Sequence, residues 1–207
     1  MENKDGQMEK IVNPEKKDKL ILRPSVTVFS GVPLSGKTHL AEKLVALSNL
    51  QTIDVDTVRN EIDETRKKDG LIRLLEPDKE REVVTNSYVE MCKRAEEMVN
   101  SGTPVLVTGT FSRAEFKQPL EQLVNNLKEQ NIPFKIFLLT APDEEVEKRI
   151  KKRQEEGSLS NIDSLEKYLW AKGFFKKVEF APVIEIDTSK QDCDEQIFEH
   201  LKDLENK

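Results

Sequence analysis

An unbroken G-x-x-x-x-G-K-T pattern occupies residues 31–38, which read Gly31-Val32-Pro33-Leu34-Ser35-Gly36-Lys37-Thr38. Its glycines let the backbone curl so that the N–H groups of the loop converge on phosphate oxygens. A β-branched run at 26–29 precedes the pattern, and a helical periodicity of apolar residues follows it from 38. Because the motif requires this strand–loop–helix context, the segment is predicted to bind a phosphate chain, against the alternative of a chance match in a glycine turn.

Two side chains of this phosphate loop carry the expected chemistry. Lys37 would reach the β- and γ-phosphates of a nucleoside triphosphate, and the Thr38 hydroxyl would ligate Mg²⁺. The positive end of the helix that starts at Thr38 adds to the anion site. ATP and Mg²⁺ are therefore the predicted ligands, and the whole loop from 31 to 38 is the predicted nucleotide-binding segment.

The rest of the chain alternates between predicted strands and helices. Further strands are indicated at 52–55, 104–107, 134–139 and 183–186, and helices at 82–99, around 120–127, from 143, at 165–173 and at 197–204. Strands that alternate with helices form a parallel sheet with helices on both faces. The expected fold class is α/β, a three-layer α/β/α arrangement around a parallel sheet of about five strands, of the P-loop NTPase type.

Length, composition and charge exclude several classes of protein. The 207 residues suit one domain with a full core, and no apolar run approaches the roughly 20 residues of a membrane span. The first residues lack the apolar segment of a signal peptide and two cysteines cannot form a disulfide framework, so a cytoplasmic location is expected. Because acidic residues outnumber basic ones, 39 to 33, a dedicated nucleic-acid coat is disfavoured, although a local basic cleft is permitted.

The domain organisation follows from the charge pattern. Residues 1–20 hold five acidic and five basic residues with little apolar material, so they are predicted to be a charged, disordered tail that joins the body at 20–22. Residues 21–207 are predicted to form a single domain. Trp170, Phe174 and Phe175 are interpreted as core or lid-packing residues rather than as a base-stacking platform.

Polar residues follow the second predicted strand. Asp54, Asp56 and Arg59 lie at its carboxyl end, where ligands bind in open parallel sheets. A carboxylate there can accept a proton from an attacking hydroxyl, and the arginine can hold an anionic group. Asp56 is the predicted general base, against the alternative that it only caps a helix from Thr57. Asp54 is a candidate outer-shell partner of Mg²⁺, against the alternative of a merely polar strand end.

Together these motifs resemble a known family. The phosphate loop, Asp56-x-x-Arg59, the helix and strand around 95–107, and the pair Arg149 and Arg153 resemble the P-loop kinases related to polynucleotide 5′-hydroxyl kinase. That group is similar to zeta-toxin, shikimate and adenylylsulfate kinases, and the resemblance covers about residues 25–190. It implies a nucleoside-monophosphate-kinase-like fold, Asp56 as general base, and Arg59 in contact with the reacting phosphate.

A basic segment lies in the helix predicted to start at 143. Residues 148–153 contain five bases, and Arg149 and Arg153 are four residues apart, so both face one way if helical. Acids at 144, 145 and 147 permit a solvated charged helix instead. The resemblance implies that this R-x-x-x-R is a pair of lid arginines, which would close over the triphosphate and neutralise its charge, in a lid at about 149–160 with its tip at 158–160.

One position departs from the family pattern. The third strand ends at Thr108, where the family usually has an aspartate that supports Mg²⁺. Asp54 could supply the missing charge from the adjacent strand. The alternative is that activity is weak or lost.

The sequence thus predicts a kinase that transfers the γ-phosphoryl group of ATP to a hydroxyl. Its predicted catalytic residues are Lys37, Asp56, Arg59, Arg149 and Arg153, and its predicted metal ligands are Thr38 and Asp54. The acceptor is a small molecule, a nucleic-acid 5′-hydroxyl or a sugar nucleotide, and basic residues in 59–80 are expected to help form its pocket. The alternative from another class is a nucleotide-binding regulatory module with little or no phosphotransfer. No membrane partner is expected, and the sequence leaves the oligomeric state open.

Overall fold

The structure of the protein is a computed structural model that describes residues 19–63, 77–157 and 162–205. Most of the predicted tail, the basic residues of 64–76 and the predicted lid tip at 158–160 lie outside the described residues. Within the described ranges, no helix is long and apolar enough to cross a membrane.

Five strands form one parallel sheet, as the sequence predicts. They pair in the order β2-β3-β1-β4-β5. Their bounds are Val26–Ser30 for β1, Gln51–Asp54 for β2, Val105–Thr108 for β3, Phe134–Thr140 for β4 and Ile184–Asp187 for β5. In this order β3 lies between β1 and β2, and its register places Thr108 opposite Asp54. The carboxyl ends of β1, β2 and β3 therefore meet at one edge of the sheet.

Seven α-helices connect and follow the strands in the described part of the chain. Their bounds are Lys37–Ala46 for α1, Val55–Ile62 for α2, Pro77–Asn100 for α3, Ala114–Glu129 for α4, Asp143–Glu155 for α5, Leu165–Gly173 for α6 and Cys193–Leu201 for α7, followed by a 3₁₀ turn at Lys202–Leu204. The sequence assigns Val55 to the second strand, but this residue is the first of α2, because the side chain before it caps the helix.

Helices cover both faces of the sheet. Neighbouring residues of β1 point to opposite faces, so Val28 packs with residues of α2, α3 and α4, whereas Phe29 packs with residues of α1 and α7. Leu20 and Leu22 are buried in the second of these clusters. This three-layer arrangement buries nearly all of the apolar side chains of the central strands.

A third, smaller apolar cluster joins the phosphate loop to α5 and α6. It contains Leu34 of the loop, Val146 and Ile150 of α5, and Tyr168 of α6. Phe175 packs against this cluster, as expected, but Trp170 and Phe174 do not: their side chains are 64% and 56% exposed. These two residues therefore do not belong to the core, because α6 directs Tyr168 inward and leaves Trp170 on its outer face. The other predicted alternative, packing against the lid tip, involves residues 158–160 outside the described part of the chain.

Candidate functional site

The phosphate loop connects the end of β1 to the start of α1 in a conformation that depends on glycine. Gly31 has φ 151°, and a Cβ placed there would lie 2.3 Å from the carbonyl oxygen of Leu139 in β4. Gly36, the N-cap of α1, has φ 91°. Any side chain at either position would be strained, and at Gly31 it would also collide with β4. The two glycines of the motif therefore fix the course of the loop.

Lys37 folds back across this loop. Its Nζ donates hydrogen bonds of 2.8 Å to the carbonyl oxygens of Gly31 and Val32. Burial lowers the pKa of Lys37 to about 8, an effect that the nearby carboxylates of Asp54 and Asp56 partly oppose. The ammonium group is therefore charged at neutral pH and lies at the phosphate-binding end of the loop.

Asp54, not Asp56, caps the helix that follows β2. One oxygen of Asp54 accepts hydrogen bonds from the backbone N–H groups of Asp56 (2.9 Å) and Thr57 (3.3 Å). Its other oxygen accepts a hydrogen bond from the hydroxyl of Thr108. The alternative interpretation, that Asp56 is the cap, is therefore wrong by two residues. Thr108 and Asp54 are in direct contact, which is the arrangement expected if Asp54 supplies the charge that is missing at Thr108.

The carboxylate of Asp56 takes no part in the cap of α2 and is exposed. It is 71% exposed, and one oxygen lies 2.9 Å from Nη1 of Arg59, three residues further along α2. The Arg59 side chain is only 14% exposed, and its Nε is buried without a hydrogen-bond partner among the described residues. Arg59 therefore holds Asp56 in place while one of its own donors stays unused.

Two residues beside this pair were not found by sequence reasoning. The hydroxyl groups of Tyr88 and Thr110 are 2.8 Å apart, and the Tyr88 oxygen also accepts a hydrogen bond from the Thr110 backbone. The ring of Tyr88 stacks on Phe116, with 4.6 Å between the ring centroids. In the sequence, Tyr88 belongs to the apolar face of a helix, which gives no signal for its polar end.

Two cavities open on either side of the phosphate loop. The first, of about 540 Å³, lies between the loop, α5 and the segment after β5. The second, of about 440 Å³, lies between the loop, α2 and the Tyr88–Thr110 pair, and Asp54, Asp56 and Arg59 line it. Four residues line both cavities: Leu34, Lys37, Thr38 and Arg153. The phosphate loop thus separates two cavities, and each cavity is large enough for a small molecule.

The two arginines predicted to act as a pair have different surroundings. Arg153 lines both cavities, where its charge reaches the region around Lys37. Arg149 donates four hydrogen bonds: to the backbone oxygen of Leu34, to the hydroxyl and carbonyl of Thr188, and to Glu145. Arg153 therefore lies where the two cavities meet, whereas Arg149 lines the first cavity and is hydrogen-bonded to the loop carbonyl of Leu34.

The oxygen donors near Lys37 suit Mg²⁺. Thr38 is an exposed residue, and Thr38, Asp54 and Asp56 line the same second cavity. Mg²⁺ prefers oxygen ligands and is commonly held by one or two protein oxygens together with substrate phosphates. The donor set therefore fits the ion that the sequence predicts.

Comparison with known proteins identifies the family. The sequence pattern of the AAA domain family matches residues 26–169, well over half of the chain. The chain belongs to this AAA domain family. No curated protein sequence matches the AAA-domain protein significantly.

Solved structures resemble the AAA-domain protein over nearly its whole length. A Chloroflexus aurantiacus protein inferred to be a kinase has a TM-score of 0.64 at 16% identity, over 88% of this chain and 99% of its own. A sugar kinase from Janibacter has a TM-score of 0.57 at 19% identity, over 87% and 93% of the two chains. The APS kinase of Mycobacterium tuberculosis, solved with AMPPNP and APS, has a TM-score of 0.55 at 17% identity, over 87% and 97%. At these identities the likeness establishes the fold, which is that of the P-loop NTPase kinases.

Proposed function

We propose that this AAA-domain protein is a Mg²⁺-dependent kinase that transfers the γ-phosphoryl group of ATP to a hydroxyl group of a small molecule. The observation that carries the proposal is the pair of cavities that meet at the phosphate loop. Phosphoryl transfer needs a nucleotide and an acceptor on opposite sides of the moving group. A nucleotide-binding regulatory module needs only one such space.

The first cavity would hold the nucleoside and the second the acceptor. The phosphates would then lie along the phosphate loop, between the two cavities. There Lys37 and the loop N–H groups would bind them, and Arg153 would neutralise charge that develops on the transferred group. Mg²⁺, bound by Thr38 with support from Asp54, would add positive charge to the same phosphate oxygens.

Asp56 is the residue best placed to act on the acceptor. Its carboxylate lines the second cavity and takes no part in capping α2. It would accept the proton of the attacking hydroxyl, while Arg59 fixes its orientation through the 2.9 Å contact. The positively charged guanidinium of Arg59, which still has an unused N–H donor, would favour an acceptor that carries an anionic group near its hydroxyl.

Three facts favour a small-molecule acceptor. The second cavity has the volume of a small-molecule site, the net charge of the chain is -6, and a sugar kinase and an APS kinase share the fold. The resemblance to polynucleotide 5′-hydroxyl kinases makes a nucleic-acid 5′-end the alternative acceptor, which the test below includes.

The test begins with ATP consumption across a panel of hydroxyl compounds, with and without anionic groups, and 5′-hydroxyl oligonucleotides. With the best acceptor, Asp56→Asn is expected to keep its ATP affinity while turnover falls by roughly 10²- to 10⁴-fold, the usual contribution of a general base. Glu61→Gln is the matched control, because Glu61 lies on the same helix but pairs with Arg94 outside the cavity. Its turnover should equal that of wild type.

Two results would contradict the proposal. If the protein binds Mg²⁺ and ATP but consumes no ATP with any acceptor, the regulatory module becomes the better assignment. If Asp56→Asn loses ATP affinity and keeps its turnover, then Asp56 is a nucleotide or metal ligand rather than the base.

A further inference from the structure

The carbonyl oxygens of the phosphate loop have donors of their own. An anion site needs the N–H groups of its loop to point inward, which turns several carbonyls outward. Buried carbonyls require hydrogen-bond donors. Lys37 donates hydrogen bonds to the carbonyl oxygens of Gly31 and Val32. Arg149 donates one of 2.9 Å to the carbonyl oxygen of Leu34. The hydroxyl of Thr188, a residue far along the chain, donates one of 2.9 Å to the carbonyl oxygen of Ser35.

Thr188 is the junction of this arrangement. It follows β5 directly, and its backbone N–H donates to the carbonyl of Thr140 at the end of β4. Its hydroxyl has one proton, which is shared between the carbonyls of Ser35 (2.9 Å) and Thr140 (3.0 Å). The same oxygen accepts a hydrogen bond from Nη1 of Arg149 at 3.0 Å, and the Thr188 carbonyl accepts one from Nη2 at 3.0 Å. Thr188 thus ties both the loop and Arg149 to the sheet.

This junction touches the part of the loop whose backbone is unusual. Leu34 has φ 66° and Gly36 has φ 91°, both in the left-handed region. A Cβ at Gly36 would lie 3.3 Å from the Thr188 hydroxyl and 3.4 Å from Nη1 of Arg149. A non-glycine residue such as Leu34 persists in this region only where its surroundings hold it there. The contacts from Thr188 and Arg149 are positioned to do so.

We propose that Thr188 is a positioning residue of the phosphate loop. Through its hydroxyl and through Arg149, it holds the carbonyls of Leu34 and Ser35 outward, and so keeps the loop N–H groups directed at the phosphate chain. Arg149 is then a positioning residue too, rather than a mobile lid arginine. The inference rests on the nucleotide-binding part of the proposed function and does not depend on phosphoryl transfer.

The test measures binding by calorimetry, with Mg²⁺ and either ATP or inorganic tripolyphosphate as the ligand. Thr188→Val keeps the shape of the side chain and removes the hydroxyl. It is expected to weaken both ligands about tenfold, the effect of losing a hydrogen-bond junction next to a charged group. Thr188→Ser restores the hydroxyl and should bind both ligands within about twofold of wild type, a rescue that a loss of packing alone would not give.

Ser189→Ala is the matched control. Ser189 follows Thr188, and its hydroxyl bonds only to Asp187 within the same turn among the described residues, so its removal should leave both affinities unchanged. Arg149→Lys serves as a second variant if Thr188→Val does not fold. The lysine keeps the charge but lacks the planar fork that reaches Leu34 and Thr188 together, so it should also weaken both ligands.

The outcomes separate the inference from the proposed function. Unchanged binding of both ligands by Thr188→Val would overturn the inference and leave the kinase assignment standing. A loss confined to ATP would also overturn it, because Thr188 would then contact the nucleoside instead of shaping the loop. Wild-type protein that binds neither ligand would refute the nucleotide site itself, and the inference would fall with it.

Discussion

The affinity of the phosphate loop for nucleotide is expected to depend on the protonation of Lys37. Burial lowers the pKa of this residue from 10.5 to about 8 in the free protein. Only the charged ammonium attracts phosphate, and a bound triphosphate raises the pKa of Lys37 because it favours the charged form. The affinity for nucleotide should therefore be greatest at pH values below the pKa of Lys37 in the free protein. It should fall as the pH rises through that pKa.

The size of the effect follows from this pKa. With a pKa of about 8, roughly nine tenths of Lys37 is charged at about pH 7 and roughly one tenth at about pH 9. The dissociation constant for ATP with Mg²⁺ should therefore rise about tenfold between these two conditions. An unshifted lysine would be charged throughout the interval, and its affinity would change by less than about 10%.

Two other titratable groups beside the loop shift away from this interval. Cys193 lines the first cavity and Tyr88 the second, and burial raises the pKa of each above its ordinary value. The measurement is a calorimetric titration at several pH values. Lys37→Arg is the control, because a guanidinium stays charged throughout, so its weaker affinity should be independent of pH. A wild-type affinity that is constant across the interval would show that Lys37 is not desolvated, and the reasoning would be refuted.

Two further predictions follow from contacts elsewhere. Thr108→Asp should lower kinase activity, because Thr108 is buried against Asp54 and two adjacent carboxylates resist joint ionisation. Adding Asp54→Asn to this variant should partly restore the rate. A Thr108→Asp enzyme faster than wild type would contradict this account. Trp170, the only tryptophan of the chain, is 64% exposed, so the fluorescence emission of the native protein should peak close to that of the unfolded chain, and a strongly blue-shifted native spectrum would be inconsistent with this placement.

The sequence alone determined the features that have local causes. The phosphate loop is recognisable because its glycines are needed for left-handed backbone and close approach, and both requirements act within eight residues. The alternation of strands and helices is visible because apolar residues repeat with the period of each element. Asp56 and Arg59 could be singled out from the sequence because they follow the second strand, but their 2.9 Å ion pair appears only in the structure.

The cap of α2 shows where local reasoning was insufficient. Asp54 and Asp56 both favour helix N-termini by residue type, and the sequence does not specify at which residue the strand gives way to the helix. In the folded protein Thr108 donates its hydroxyl to Asp54 across the β2–β3 pair, which fixes Asp54 at that junction and leaves Asp56 free. The strand order therefore decided which carboxylate is available for chemistry.

Only the tertiary structure showed the contacts of Tyr88, Arg149 and Thr188. Thr188 is 153 positions away from Ser35 in the sequence, yet their side chain and carbonyl are in contact, because β4 and β5 bring the end of the sheet beside the loop. A single threonine after a strand has no periodicity or motif that marks it. Its proposed role depends on which backbone groups the fold places within hydrogen-bond distance, and that depends on packing between segments that are remote along the chain.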